Sequence, residues 1–321
     1  MLGRLGMTVE ACKNEYIELA SKAFVTKRLI YLPAPPNGLY SAEALKNPII
    51  TVIQRQCNNT ACQNRECIHG EIEFRDPGCT KTVVLAITKD DVDALPTLFK
   101  TYDRSNEFEG CKIWEVARAT SAALTFFKSI KCGPNEVEYI DAGFGYNNPT
   151  QILLDEARSV FHLPDNSNTF VLSIGTGLGD PVTILDSRIS IIKSMKKMAT
   201  SSTTIENAMD AQLEPNMYYR FNVIKGLSRI NLAEWSKWSE IATHTGNYLR
   251  EPKQGRGIAN CITKLDRTTA EPVLGNPESA GLGAVILTAP STSEHGNRIE
   301  STDQCKLGSD GQQLNAPNMS Q

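Results

Sequence analysis

Apolar residues recur along this chain with two periods, and the switches between them mark the elements. Behind Thr8, a capping residue followed by Glu10, the residues Val9, Cys12, Tyr16, Leu19, Ala20 and Ala23 fall at helical spacing and predict a helix of several turns. Ahead of it, Met1-Leu2-Gly3-Arg4-Leu5 is apolar without a start signal, as though an element were already under way. Residues 32–38 form a proline-rich connector, and 41–46 open a second helix that Pro48 is expected to interrupt or kink. Residues 58–76 are polar and cysteine-rich, as in a surface loop. Residues 82–88 are a buried strand, and 94–102 lead through Phe99 and Tyr102 into another polar loop. Residues 114–123 make a helix of small residues that can lie close on a sheet, closed by Phe126 and Phe127.

Val137, Tyr139 and Ile140 then supply a strand that ends on Asp141. The stretch breaks there into a turn rich in glycine, with Gly143, Gly145, Asn147 and Asn148, before Pro149 opens a helix over 150–161. In that helix Ile152, Leu153, Ala157, Val160 and Phe161 are expected on one face. Strands follow at 169–174 and 217–223. Helices follow at 189–198 (basic and amphipathic), 232–249 and 258–265. Beyond about Arg267 the chain is rich in Ser, Gly, Pro, Asn and Gln and reads as disordered. Alternating strands and helices predict an α/β layered sheet with flanking helices over 1–266, and a low-complexity tail over 267–321.

Composition narrows the function. A chain of 321 residues with 40% hydrophobic and 21% charged residues has the makeup of a globular protein, and a net charge of -3 without a long basic run argues against nucleic acid as a partner. No apolar stretch reaches membrane-span length, and the first residues lack a signal-peptide core. Nine cysteines, an odd number, fit reduced thiols and a cytoplasmic location, with peripheral membrane contact as the membrane association to consider. Oligomeric state is left unassigned.

Four patterns bear on chemistry. Gly175-Thr176-Gly177-Leu178-Gly179 follows a strand, but it lacks the spacing and the following helix of a phosphate loop and reads as a tight turn. Cys57, Cys62, Cys67 and His69, with Cys79 beyond, could ligate zinc, but their spacers are looser than a paired knuckle, and no metal or cofactor is assigned. The helix with Lys193, Lys196 and Lys197 opposite Ile189, Ile192, Met195 and Met198 reads as solvated rather than membrane-bound. The fourth pattern is hydrolytic: Asp141, on the lip of a sheet, is placed as a catalytic acid or base, although an ordinary strand-to-helix turn accounts for Asp, Asn and Gly there as well and better on these residues alone. No serine of the chain sits in a Gly-x-Ser-x-Gly elbow, and none of the four histidines has a triad context.

Several stretches in one order resemble the patatin-like phospholipase family, in particular its fungal members. They are Trp114-Glu115-Val116-Ala117-Arg118-Ala119-Thr120-Ser121-Ala122-Ala123, then Tyr139 to Pro149 around Asp141, then Leu172-Ser173-Ile174-Gly175-Thr176-Gly177, then Tyr218 to Val223. The resemblance implies a patatin-like fold and lipid or acyl-ester substrates. It also implies a Ser–Asp dyad without histidine, in which Asp141 takes the proton of an attacking serine. Ala142, Gly143 and Gly145 would shape the loop of the dyad aspartate. In the family the serine elbow and the oxyanion loop come before the segment that Met1–Leu5 resembles. The expectation is therefore an N-terminally truncated remnant of a lipid acyl hydrolase, inactive as written. Alternatives are a non-catalytic lipid- or protein-binding module and an incomplete gene model of an active phospholipase. Two departures stand out. Ala142 replaces the family's glycine, which would cost about 1–2 kcal/mol if that position required a positive φ, and Leu124 replaces its common proline.

Overall fold

The hydroxyl of Thr8 accepts a hydrogen bond from Ala11 N at 3.2 Å and starts α2 (Val9–Ala23). A single turn precedes it, α1 (Leu2–Leu5), which Gly6 stops in the left-handed region at φ 61°. The computed structural model describes residues 1–25, 38–57, 69–123, 126–164, 169–177, 202–223, 225–227, 230, 233–270 and 285–287. The connector over 32–37, Leu124, the basic helix expected at 189–198 and most of the expected tail lie outside these residues.

Ser41 caps α3 (Ala42–Arg55), which runs on through Pro48 instead of breaking there. An interior proline costs about 3 kcal/mol. The helix buries Leu45, Ile49, Val52 and Ile53, each contributing roughly 1.5–3 kcal/mol, so packing outweighs the lost hydrogen bond.

The first sheet is antiparallel throughout. It has β1 (Val83–Thr88), β2 (Thr97–Lys100), β3 (Ile130–Cys132) and β4 (Val137–Asp141) in the order β2-β1-β4-β3. Helix α4 (Ile113–Thr120) lies against it, and the alternation of side chains divides the core between its faces. Ala86, Phe99 and Tyr139 join α3 and α4 through Ile53, Val116 and Ala119 on one face. On the other, Leu85, Ile87, Ile140 and Ala142 meet Tyr146 and Ile152. Cover on both faces explains why β1 reads as an unbroken apolar run. The 94–102 segment, expected only to lead into a loop, supplies β2, whose Phe99 packs edge-on to Tyr139 at 5.1 Å.

A one-turn helix α5 (Gly143–Tyr146) and then α6 (Thr150–Phe161) follow β4. Thr150 and Leu154 are the buried positions of α6, with the expected apolar set only partly covered. Glu156 ties α6 to the sheet, accepting from Lys100 Nζ at 2.9 Å and Tyr102 Oη at 2.7 Å.

The second sheet is parallel: β5 (Val171–Ile174) sits between β6 (Tyr218–Phe221) and β7 (Val285–Leu287). Strand β7 falls in the segment read as a tail. Helix α7, at 202–212, went unread because its apolar stripe is narrow; Ile205, Met209 and Leu213 recur every four residues, and Met209 is fully buried. The helix expected at 232–249 is a 3-10 turn (Trp235–Lys237) followed by α8 (Trp238–Arg250). Helix α9 (Pro252–Ala270) starts six residues earlier than expected, with Pro252 in its first position. No helix among the described residues is long and apolar enough to cross a membrane.

Arg4 fastens α1 to the body. Its side chain, 5% exposed, pairs with Asp76 at 3.0 Å and donates to the carbonyls of Phe74 and Glu73, each at 2.9 Å. Arg4→Ala removes the countercharge of Asp76 and the donor to two carbonyls and is expected to destabilise the fold by about 3 kcal/mol. Arg4→Lys should recover only part of this, since an ammonium cannot reproduce the fork. Urea unfolding of the three proteins measures both; an unchanged midpoint in Arg4→Ala would contradict the prediction.

Candidate active site around Asp141

Asp141 ends β4 opposite Ala86, and its amide donates to the carbonyl of Ala122 at 3.2 Å, just past the end of α4. The sheet edge and the α4 terminus therefore fix its backbone together. The side chain is partly buried, and one carboxylate oxygen accepts from Gly143 N at 2.7 Å. No other hydrogen bond to this carboxylate comes from the described residues. Burial pushes its pKa up to about 6, and the Gly143 N–H, which favours the charged form, only partly offsets the rise. A carboxyl titrating there is matched to accepting a proton near neutral pH.

The loop after Asp141 is not an open glycine turn. Ala142 is right-handed (φ −67°, ψ −14°), and Gly143 and Gly145 lie inside the single turn of α5. A side chain on Gly145 would meet nothing within 4 Å. The strain considered for Ala142 is therefore absent, and its methyl, 4% exposed, packs with Ile140, Leu85 and Ile87. Asn148, one of the two expected caps, does accept from Thr150 N, at 3.4 Å, and from the Thr150 hydroxyl at 2.6 Å.

Asn148 opens a buried chain of polar contacts. Thr150 Oγ1 lies 3.0 Å from Ser173 Oγ, which accepts from Arg220 Nη1 at 2.6 Å. Arg220 Nη2 reaches Ser202 Oγ at 2.9 Å, and the Ser202 carbonyl accepts from Asn148 Nδ2 at 3.1 Å, closing a ring. Glu206 stands 3.5 Å from Arg220 Nε and supplies the countercharge. The ring ties the exit of the Asp141 loop to β5, β6 and α7. Sequence reasoning missed it, although an arginine inside the aromatic strand Tyr-Tyr-Arg-Phe is itself a cue for a buried partner. It also engages the hydroxyls of Ser173 and Ser202, and no serine among the described residues hydrogen-bonds Asp141.

The other candidates have structural explanations. Gly175 and Gly177 allow β5 to end against Asn222: a Cβ on Gly175 would lie 2.3 Å from Asn222 Oδ1, and Gly177, at φ 71°, donates to the same oxygen at 2.8 Å. Cys57 Sγ lies 3.2 Å from His69 Nδ1, but Cys79 is buried and turned to the Asp76 carbonyl at 3.1 Å. Cys62 and Cys67 lie outside the described residues, among which no three metal-ligating side chains cluster.

Residues 4–154 match the patatin-like phospholipase family. Among curated proteins, 239 residues of the chain are 26% identical to the calcium-independent phospholipase A2-gamma of Homo sapiens, covering 70% of this chain and 28% of that protein. The Oryctolagus cuniculus protein of the same name is 26% identical over 162 residues, 47% of this chain and 20% of its own length. The chain thus spans less than a third of these relatives. No solved structure matches it.

Two outcomes follow from the site. Because the folded-state pKa of Asp141 lies above the ordinary 3.8, the folded state holds the extra proton between these values. Stability from this group is then full below about pH 4 and lost as pH rises through about 6, on the order of 3 kcal/mol. Asp141→Asn keeps the acceptor for Gly143, so it should match the parent at pH 4 and exceed it in urea at pH 7. A difference independent of pH would contradict this. Thr150→Val removes the hydroxyl linking Asn148 to Ser173 and should cost about 1–3 kcal/mol, with Thr150→Ser close to the parent in thermal unfolding.

Proposed function

We propose that this domain is the aspartate-bearing part of a patatin-like lipid acyl hydrolase, with Asp141 as the base of a Ser–Asp dyad. The observation that carries the reading is the placement of Asp141 at the end of β4, partly buried, with its pKa raised to about 6, and inside the residues that match the family. In this chemistry the carboxylate takes the proton of a serine hydroxyl as the serine attacks the ester carbonyl, and water later releases the acyl group. Ala142, Gly143 and Gly145 carry the turn that holds the carboxylate. Lipids or other acyl esters are the substrates, and contact with membranes is peripheral.

The 321 residues contain no serine in an elbow and no glycine-rich oxyanion loop assigned to it. We infer that the chain as written does not turn over ester, and that any hydrolysis by a longer form depends on Asp141. Losing the nucleophile removes a rate factor on the order of a millionfold in a hydrolase, whereas a misplaced base would leave residual turnover.

The chain is expected neither to hydrolyse p-nitrophenyl acyl esters above background nor to react with a fluorophosphonate probe. Probe labelling, or turnover that vanishes in Asp141→Ala, would show that a serine within these residues is competent and would overturn the inactive reading.

A further inference from the structure

We propose that the cleft bounded by the start of α3, by α4 and by the β3–β4 edge is a binding site for a phosphate monoester. It encloses about 290 Å³, the low end of the ligand-pocket range of about 300–1,000 Å³. That is room for a phosphorylated headgroup-sized molecule and not for a pair of acyl chains.

Four cations line the cleft: Lys46, Arg118, Lys128 and Lys131. Arg118 is the built element. It is 2% exposed, its Nη2 donates to the Lys128 carbonyl at 2.8 Å, and its Nη1 is buried with no hydrogen-bond partner. A buried guanidinium nitrogen without an acceptor is costly, and the fork geometry of arginine suits phosphate oxygens. Lys46 is held over the Trp114 ring at 4.0 Å, with no carboxylate in ion-pair range among the described residues. The lining also includes Ala42 and Glu43, the first two residues of the 14-residue helix α3, at the positive end of its dipole.

Two carboxylates oppose this charge. Glu138 is already engaged, by Lys89 Nζ at 2.8 Å and by the Ser129 hydroxyl. Glu43 is exposed at the cleft. Lys131 has only a 4.0 Å approach to the exposed Glu136. The four cations therefore exceed the carboxylates by two, and one of those carboxylates is neutralised from outside the cleft. Glu138 precedes Asp141 by three residues on β4, about 10 Å along the strand, and Asp141 does not line the cleft. The cleft is thus separate from Asp141, and the inference does not rest on the hydrolase reading.

The phosphate can be that of a soluble ester or of a lipid headgroup, and the test separates the two. The full chain is titrated calorimetrically with glycerol 3-phosphate and floated with phosphatidylcholine vesicles with and without phosphatidic acid. Binding of either probe is expected, weakened roughly tenfold in the double variant Lys46→Gln, Lys131→Gln at an unchanged unfolding temperature. Lys22→Gln, outside the cleft lining, should leave it intact. Binding of the soluble ester alone assigns a free phosphate ester; binding of the vesicles alone assigns a headgroup; either supports the site. Because Arg118→Gln could disturb folding through the Lys128 carbonyl, the lysine variants decide. No binding of either probe by the parent, or undiminished binding by the double variant, or equal loss in Lys22→Gln, would overturn the proposal.

Discussion

The hydrogen bonds of Arg220 tie β5, β6, α7 and the start of α6 together above the apolar core that Leu154, Val171 and Met209 form between them. Its guanidinium reaches Ser173 on β5 and Ser202 at the start of α7, and through these the Asn148–Thr150 corner. One charged side chain therefore joins the parallel sheet to the loop leaving the antiparallel one. Such a centre is sensitive because every member is buried. A single missing hydroxyl leaves partners unsatisfied in low dielectric, where the penalty exceeds the gain of any one bond.

Asp141 sits where two constraints meet. Upstream, its amide is fixed by the Ala122 carbonyl, and β4 is pinned between β1 and β3 by cover on both faces. Downstream, the polar ring fixes Asn148. The carboxylate is left with one donor and partial burial, a setting that disfavours its charge and raises its pKa to about 6. The folded state therefore gives up stability above about pH 6, where this carboxyl is charged.

Much of this arrangement was legible in the residues. The Thr8 cap, the helix opening at 41–46, the strands ending at Thr88, Asp141 and Ile174, and the position of Asp141 all follow from spacing and turn chemistry. The errors have physical causes. Pro48 is expected to interrupt or kink α3, yet the helix continues, because local cost is visible in sequence and the burial of Ile49 and Ile53 is not. Strand β2 was missed because Leu95-Pro96 precedes it and only Phe99 is buried within it. The glycines after Asp141 suggest an open turn, whereas the chain there is helical and alanine fits at 142. Arg220 was passed over because its partners lie 18, 47 and 14 residues away.

The hydrogen bond from Gly143 to the Asp141 carboxylate has a mechanical side. It closes an Asx turn that feeds directly into α5, and its strength depends on the charge of the acceptor. When Asp141 is ionised, the amide at the start of α5 is held by an anion; when it takes a proton, that grip slackens. The protonation state of one carboxyl is thereby linked to the firmness of the helical turn beside it, and by reciprocity whatever tightens that turn makes the carboxyl a weaker base.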